Sequence, residues 1–561
     1  MYYSELAKIY SELEGSNKRL DKIEIISNFL KKCNNDDLSR VIYLIQGKVF
    51  PHYDERKIGM GSRLILKAIG KATGVSEIDV EKKWKTKGDL GEVVEDLISN
   101  KKQATLISTK LTVKKVFENI TNLAKLEGKG AVGKKVGLVA ELLISSGKNE
   151  ARFIVRTVLE DLRIGVADGV IRDSIAKAYD ADVKNVERAF DILLDFGEVA
   201  RRSKDKEVGN MKLKVGKPMR LMLAIKVEDV KAAFEAVGKP ALLEYKLDGF
   251  RVGIHKKGSE ISLFTRKMEN ITKQFKEVAG IIKKYVKCKE CILDSEFVGY
   301  NPKSKRYLPF QNISQRIRRK YEIEKMAKKF PVEINVFDIL HYNGKDMLNK
   351  TQTKRRNLIE KIVKHEKHKI KVTDSLITDD EKEAKVFFNE SLKKGNEGLI
   401  FKKLDAMYQP GRRVEGWVKL KTTLEPLDLV IIGAEWGTGK RVGVLSSFVL
   451  GCSSGNEFLE CGMLGTGIKE KSKNGVSFKE LTRLLKPLII SEKGRSVKIK
   501  PDVVIQVNYE EIQKSPTYSS GYALRFPRLQ MLRSMEKNPK DANTLGDITR
   551  LYKSQKKTSI Q

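Results

Sequence analysis

The chain has 561 residues, too many for one hydrophobic core, and its length predicts three or four domains. Lysine and arginine number 109 against 73 acidic residues, a net charge of +36, so a polyanion is the expected partner. No run of about 18 apolar residues occurs and five cysteines suit a reducing compartment, which together exclude an ordinary membrane span and point to a cytoplasmic protein without a membrane partner.

From Tyr2 to about Met211 the pattern is helical, broken repeatedly by glycine and asparagine. Ile154, Val155, Val158, Leu159 and Leu162 recur at helical spacing and predict one apolar face, punctuated by Arg152, Arg156, Arg163 and Arg172. An all-helical segment can grip duplex DNA through helix N-termini and Arg or Lys contacts to phosphate without reading bases; the plainer alternative is a helical core with a solvated basic face. Gly128-Lys129-Gly130-Ala131-Val132-Gly133 satisfies G-x-G-x-x-G, but it follows a helical stretch from Lys114 to Leu126 and reads as an inter-helix loop.

Period-two alternation begins at Leu243. Leu243, Tyr245 and Leu247 fall on one face and Glu244, Lys246 and Asp248 on the other. Asp248-Gly249 is a turn, after which Phe250, Val252 and Ile254 are apolar and Arg251 lies opposite; a third strand, Ile261 to Thr265, leads to Arg266. Lys246 therefore stands at the end of a strand. A lysine near its ordinary pKa of about 10.4 is protonated at neutral pH, so a nucleophilic role requires arginines, other lysines or a metal close by. A lone lysine in a basic chain is usually a surface charge, and what changes the balance is the set that follows it.

Ile292 to Tyr300 reads as a strand with Asp294 and Glu296 on one face, and Phe337 sits in the apolar run Val336 to Leu340. Glu397 opens the apolar strand Gly398 to Phe401. Two carboxylates from separate strands, Glu296 and Glu397, suit Mg2+ beside a triphosphate, because that ion takes a few carboxylate and phosphate oxygens plus water. Arg413 precedes Trp417-Val418-Lys419-Leu420-Lys421, whose alternate lysines share a strand face. Cys288 and Cys291 form a CxxC with no second pair at zinc spacing, and Gly437-Thr438-Gly439-Lys440 is an incomplete P-loop. Beyond Pro426, runs at Leu427–Gly437, Ser447–Gly451, Phe458–Met463 and Val503–Val507 predict short strands of a small barrel or sandwich. The tail Ser554 to Gln561 reads as disordered.

Glu244-x-Lys246-x-Asp248-Gly249-x-Arg251 resembles the nucleotidyltransferase motif of ATP-dependent DNA ligases, closest to the replicative type of archaea and eukaryotes. RNA ligases and capping-type nucleotidyltransferases share the short motif. Arg156 to Ala167, Gly47 to Pro51, Gly216 to Ala224 and Ser515 to Arg528 resemble further segments of the DNA ligases, with Leu221 where relatives often have proline and Ser295 in place of the usual glycine.

The resemblance implies a multidomain chain: an all-α DNA-binding domain over 1–215, an α+β nucleotidyltransferase (adenylation) domain over 216–424 and a β OB-fold domain over 425–561. It implies ATP and Mg2+ as cofactors, Lys246 as the catalytic residue carrying AMP, and nucleotide contacts from Glu244, Arg251, Arg266, Glu296, Phe337, Arg413, Lys419 and Lys421. Phe337 would stack on adenine, and Glu296 and Glu397 would hold the metal. The implied substrate is nicked double-stranded DNA, sealed as a monomer in replication, repair and recombination. Lys101 to Ile107 lies where relatives can carry a sliding-clamp-binding motif, with Leu106 and Ile107 replacing its aromatics. Relatives use a basic cluster near the end to orient pyrophosphate; here Arg525, Arg528, Arg533 and Lys537 share that expectation undivided. The alternatives are an RNA ligase or capping-type enzyme, and a non-catalytic DNA-binding relative.

Overall fold

The computed structural model describes residues 1–99, 110–317, 319, 321–422, 424–437, 441, 443–470, 475–534 and 536–557. The expected clamp-binding segment and residues 438–440 of the incomplete P-loop lie outside these. The chain forms two compact units: Met1–Leu223, Gly249–Thr373 and Asp405–Val414 in the first, and Ala224–Asp248, Asp374–Leu404 and Glu415–Gln561 in the second.

The first unit opens with successive helices from Tyr3–Gly15 to Phe196–Lys204. Their boundaries follow local chemistry. Asn34, Ser76, Thr112, Asp182 and Asp195 each accept a backbone N–H at a helix start, and Gly74 and Gly88 close helices in the left-handed conformation. Tyr3, Tyr10, Phe153 and Phe196 are fully buried between the helices. Arg156, read from the sequence as part of a basic face, is a core residue instead: it is 2% exposed, with Nε 2.9 Å from Asp89 Oδ2 and Nη1 3.0 Å from Glu14 Oε1. A guanidinium can be buried there because those carboxylates neutralise it and accept its hydrogen bonds.

In chain order the central strands are β1 (Leu223–Val227), β2 (Ala241–Lys246), β3 (Phe250–Lys257), β4 (Glu260–Thr265), β5 (Glu290–Tyr300), β6 (Tyr307–Leu308), β7 (Val332–Tyr342), β8 (Lys345–Asp346), β9 (Ile370–Val372), β10 (Ser375–Thr378), β11 (Gly398–Lys403) and β12 (Arg413–Lys421). The first unit holds a seven-stranded sheet in the order β4-β3-β5-β7-β8, with β6 on β5 and β9 on β7. One face is core: Phe250, Val252, Ile254, Leu293, Phe297, Ile334 and Val336 pack under the helices Lys276–Tyr285 and Gln352–Ile362.

A second sheet runs β1-β12-β11-β2-β10 and belongs to the second unit apart from Leu223, Arg413 and Val414. Directly paired residues of antiparallel strands project to one side. The register therefore places Leu243, Tyr245, Leu399, Phe401, Val418 and Leu420 on one face, where they pack against the helices Val230–Val237 and Glu381–Lys393. Burying each large side chain contributes roughly 1.5–3 kcal/mol, enough to fix the register and leave the polar residues on the opposite face.

The rest of the second unit is strand-rich: β13 (Leu427–Trp436), β14 (Leu445–Ser454), β15 (Glu457–Leu464), β16 (Ile489–Lys493), β17 (Ser496–Ile499), β18 (Val504–Asn508), β19 (Glu511–Lys514), β20 (Tyr522–Arg525) and β21 (Arg528–Leu532). Strand β13 pairs with β14, β17 and β18, and register shifts at Ile431/Gly433 and Glu435/Trp436 bend it. The expectation of a disordered tail from Ser554 is overturned through Lys557: Leu545–Lys557 is a helix, seated by the fully buried Ile548. Among the described residues no helix is long and apolar enough to cross a membrane.

Candidate active site

In the second unit the polar face of the sheet is built by three strands in register. Lys246 on β2 pairs with Gly398 on β11, which pairs with Lys421 on β12; the next row is Glu244, Ile400 and Lys419, and the one after it Leu242, Lys402 and Trp417. Lys246 and Lys421 thus flank the residue that follows Glu397. Gly398 has φ +144°, and a Cβ there would stand 2.1 Å from the Leu420 carbonyl oxygen, so only glycine permits this approach. The Glu397 N–H donates to the Lys246 carbonyl at 2.8 Å.

The result is a carboxylate between two ammonium groups. Glu397 Oε2 lies 2.5 Å from Lys246 Nζ and 2.6 Å from Lys421 Nζ. Burial opposes ionisation of Glu397, but the two lysines outweigh it and hold the carboxyl at about 2. Deeper in the face Glu244 Oε2 pairs with Lys402 Nζ at 2.6 Å, both nearly fully buried, and the ammonium lies 4.3 Å from the centre of the Trp417 ring. Lys402 was missed in the sequence; its parity with Gly398 and Ile400 was the available signal. Lys246, Lys402, Lys419 and Lys421 outnumber Glu244 and Glu397 here, which makes the face an acceptor for anionic oxygens.

The first unit carries Arg251, Glu296 and Phe337 on its own sheet. Arg251 on β3 pairs in register with Glu296 on β5, and Glu296 with Asn335 on β7. The guanidinium of Arg251 is forked onto Asp294, Nε to Oδ1 at 2.9 Å and Nη2 to Oδ2 at 2.6 Å, while Nη1 donates to the Met222 carbonyl at 2.6 Å. Burial works against that cation, but Asp294 more than compensates and raises it well above the usual arginine range. The Tyr408 hydroxyl donates to Asp294 at 2.7 Å, and burial with the adjacent carboxylate pushes it far above the ordinary tyrosine value. Arg251 also lies 5.4 Å from the centre of the Phe337 ring, which sits at the β5–β7 irregularity between Asp294 and Ser295. Tyr408 stands in a loop without periodicity, and nothing in the sequence singled it out.

Arg266 is exposed in the tight turn after β4, where Thr265 N bonds to Glu269 O at 2.9 Å and Met268 N to Thr265 O at 2.7 Å. Arg413 begins β12, and its side chain lies outside the described residues. The basic cluster near the end divides by partner: Lys537 Nζ is 2.5 Å from Asp428, Arg533 is 3.1 Å from Glu536 and 3.9 Å from Asp428, Arg525 is 3.3 Å from Glu511, and Arg528 is exposed.

Residues 2–176 match the family model described as DNA ligase N terminus, 221–421 match ATP dependent DNA ligase domain, and 441–536 match ATP dependent DNA ligase C terminal region. The chain is 45% identical to a DNA ligase of Nanoarchaeum equitans and 41% identical to one of Thermococcus onnurineus, in each case across 99% of both chains. It is also similar in fold to the solved structure of Pmar-Lig_PreS3, with a TM-score of 0.58 and 17% identity over 94% of this chain and 99% of that one.

Proposed function

The chain belongs to the family of ATP-dependent DNA ligases and is an enzyme that joins 5′-phosphate to 3′-hydroxyl at nicks in duplex DNA, and we propose that it does so with Lys246 as the nucleophile. The observation that carries the assignment is the Lys246–Glu397–Lys421 cluster on a face rich in lysine. The Lys246 amine, having lost a proton, forms a bond to the α-phosphorus of ATP as the bond from that phosphorus to the bridging oxygen breaks and pyrophosphate leaves. AMP then passes to the 5′-phosphate at the nick, and attack by the 3′-hydroxyl seals the strand and releases AMP.

Lys419 and Lys421 offset charge on the phosphoryl oxygens, and the rigid strand holding Lys246 sets the line of attack. Glu244, Arg251, Arg266, Glu296, Phe337 and Arg413 contact the nucleotide. Glu397, a desolvated carboxylate ionised down to about pH 2, and Glu296 would each offer Mg2+ a hard oxygen donor. When bound, Mg2+ supplies positive charge to the triphosphate.

The same reading assigns residues 1–215 to DNA binding, 216–424 to adenylation and 425–561 to an OB fold. The bent, centrally paired β13 and the short strands around it support the last. A cytoplasmic monomer that docks on a sliding clamp through residues 101–107 completes the proposal. Incubation with labelled ATP tests its centre: wild type takes up a covalent label and Lys246→Ala does not, whereas an adduct that persists in the variant rejects the assignment. Sealing of nicked DNA in preference to nicked RNA separates the ligase from an RNA-joining enzyme.

A further inference from the structure

We propose that Arg220 is a positioning residue for the nucleotide site, fixing the Met222 peptide against Arg251 by anchoring the segment between them to the helical part of the first unit. The inference rests on the reading of Arg251 as a nucleotide contact. Both backbone polar groups of Met222 are used: its carbonyl accepts from Arg251 Nη1 at 2.6 Å, and its N–H donates to the Tyr408 hydroxyl at 3.0 Å. Tyr408 in turn holds Asp294, the carboxylate on which Arg251 is forked. The aim of Arg251 therefore depends on where Met222 stands.

Two residues upstream, Arg220 decides that. Its N–H donates to the Asp191 carbonyl at 3.0 Å, Nη1 to Asp191 Oδ1 at 3.3 Å and Nη2 to Asp168 Oδ2 at 3.2 Å, with the guanidinium 4.6 Å from the centre of the Phe190 ring. Glu187, Phe190 and Asp191 all lie on the helix Val183–Leu193. That helix also grips the loop on the other side of the site. Gly411, at φ +71°, sits so close that a Cβ would be 2.5 Å from Asp191 Oδ1; Arg412 pairs with Glu187 and accepts a backbone bond from Leu223 at 2.9 Å. One helix thus clamps both backbone segments, Arg220–Leu223 and Tyr408–Arg412, whose atoms set the Arg251–Asp294 fork. A bidentate fork tolerates little displacement, since each bond needs its own line.

The test uses the full chain with Arg220→Ala, Arg220→Lys and Arg251→Ala, reading KM and kcat for ATP in self-adenylation, affinity for nicked DNA at fixed salt, and Tm. Arg220→Ala is expected to raise KM for ATP on the order of tenfold or more with DNA affinity unchanged, because a displaced contact weakens productive binding. Arg220→Lys is expected to recover part of that, since one ammonium cannot span Asp191 and Asp168 as a planar fork does. If Arg251→Ala raises KM and Arg220→Ala leaves it at the wild-type value, the positioning role is overturned and the site reading stands. If Arg251→Ala leaves KM unchanged, the reading of Arg251 fails and the inference fails with it. A fall in Tm with DNA affinity and adenylation lost in proportion would assign Arg220 to stability alone and overturn the inference.

Discussion

Lys246 Nζ lies 2.5 Å from Glu397 Oε2, on the same oxygen that Lys421 approaches to 2.6 Å. Glu397 is the only described partner that these two cations share, and it cancels their mutual repulsion. Glu397→Gln removes the charge and keeps the shape. The single-turnover rate of label transfer from ATP to the protein is expected to fall by about 100- to 1000-fold, the range typical of removing one preorganised electrostatic group. A rate within threefold of wild type would count against any role for this carboxylate in the chemistry.

The second ion pair on that face makes a different prediction. Glu244 and Lys402 are each almost wholly buried, so removing one partner takes an ion pair away from a buried charge. Lys402→Met is expected to cost roughly 3–5 kcal/mol in denaturant unfolding, and Glu244→Gln with Lys402→Met to recover most of it. A loss in the double variant equal to the sum of the losses in Glu244→Gln and Lys402→Met would show that the pair is not coupled.

Much of the face is legible in the chain because its period is two. Alternation around Lys246 and through Trp417–Lys421 puts the charged residues on one side, and the strand register confirms that Glu244, Lys246, Lys419 and Lys421 share it. Pairings across long separations are not legible. Arg156 looks like a basic surface residue because its acids, Asp89 and Glu14, stand 67 and 142 positions away. Tyr408 reaches Asp294 across 114 positions, and Arg220 reaches Asp168 across 52. Folding alone brings such partners together, and no local pattern announces them. The polar tail misleads for a related reason: its helix is seated upstream, by the buried Ile548 with Leu545, Leu551 and Tyr552 packed against the same core.

Gly398→Ala should be far worse than a glycine substitution usually is. The obstructing atoms include the Leu420 carbonyl, which is sheet backbone and cannot swing away, and the φ of +144° is itself strained for alanine. A loss of about 2–4 kcal/mol is expected, with adenylation reduced as the Lys246–Gly398–Lys421 row is forced apart. Gly280 in the helix Lys276–Tyr285 is the control, because nothing lies within 4 Å of its Cβ position. Gly280→Ala is expected to stabilise by up to about 1 kcal/mol. Similar midpoints for the two variants in urea would refute the steric argument.

Two carboxyls give the stability of the protein opposite slopes with pH. Glu397 is held at about 2 against an ordinary value of 4.5, so its folded form releases a proton that the unfolded chain retains. Its contribution is fully present above pH 4.5 and is lost as pH falls towards 2. Asp191 is the reverse case. Burial pushes its carboxyl up to about 6 from 3.8, with Glu187 adding to the rise and Arg220 and Arg412 opposing it. Between about pH 4 and 6 the folded state holds a proton that the unfolded chain gives up, so stability declines as pH rises through that window. Urea midpoints taken across pH should therefore lose their decline between 4 and 6 in Asp191→Asn, and lose part of their acid-side rise in Glu397→Gln. An unchanged profile in Asp191→Asn would mean that this carboxyl ionises as freely in the folded protein as in the unfolded chain.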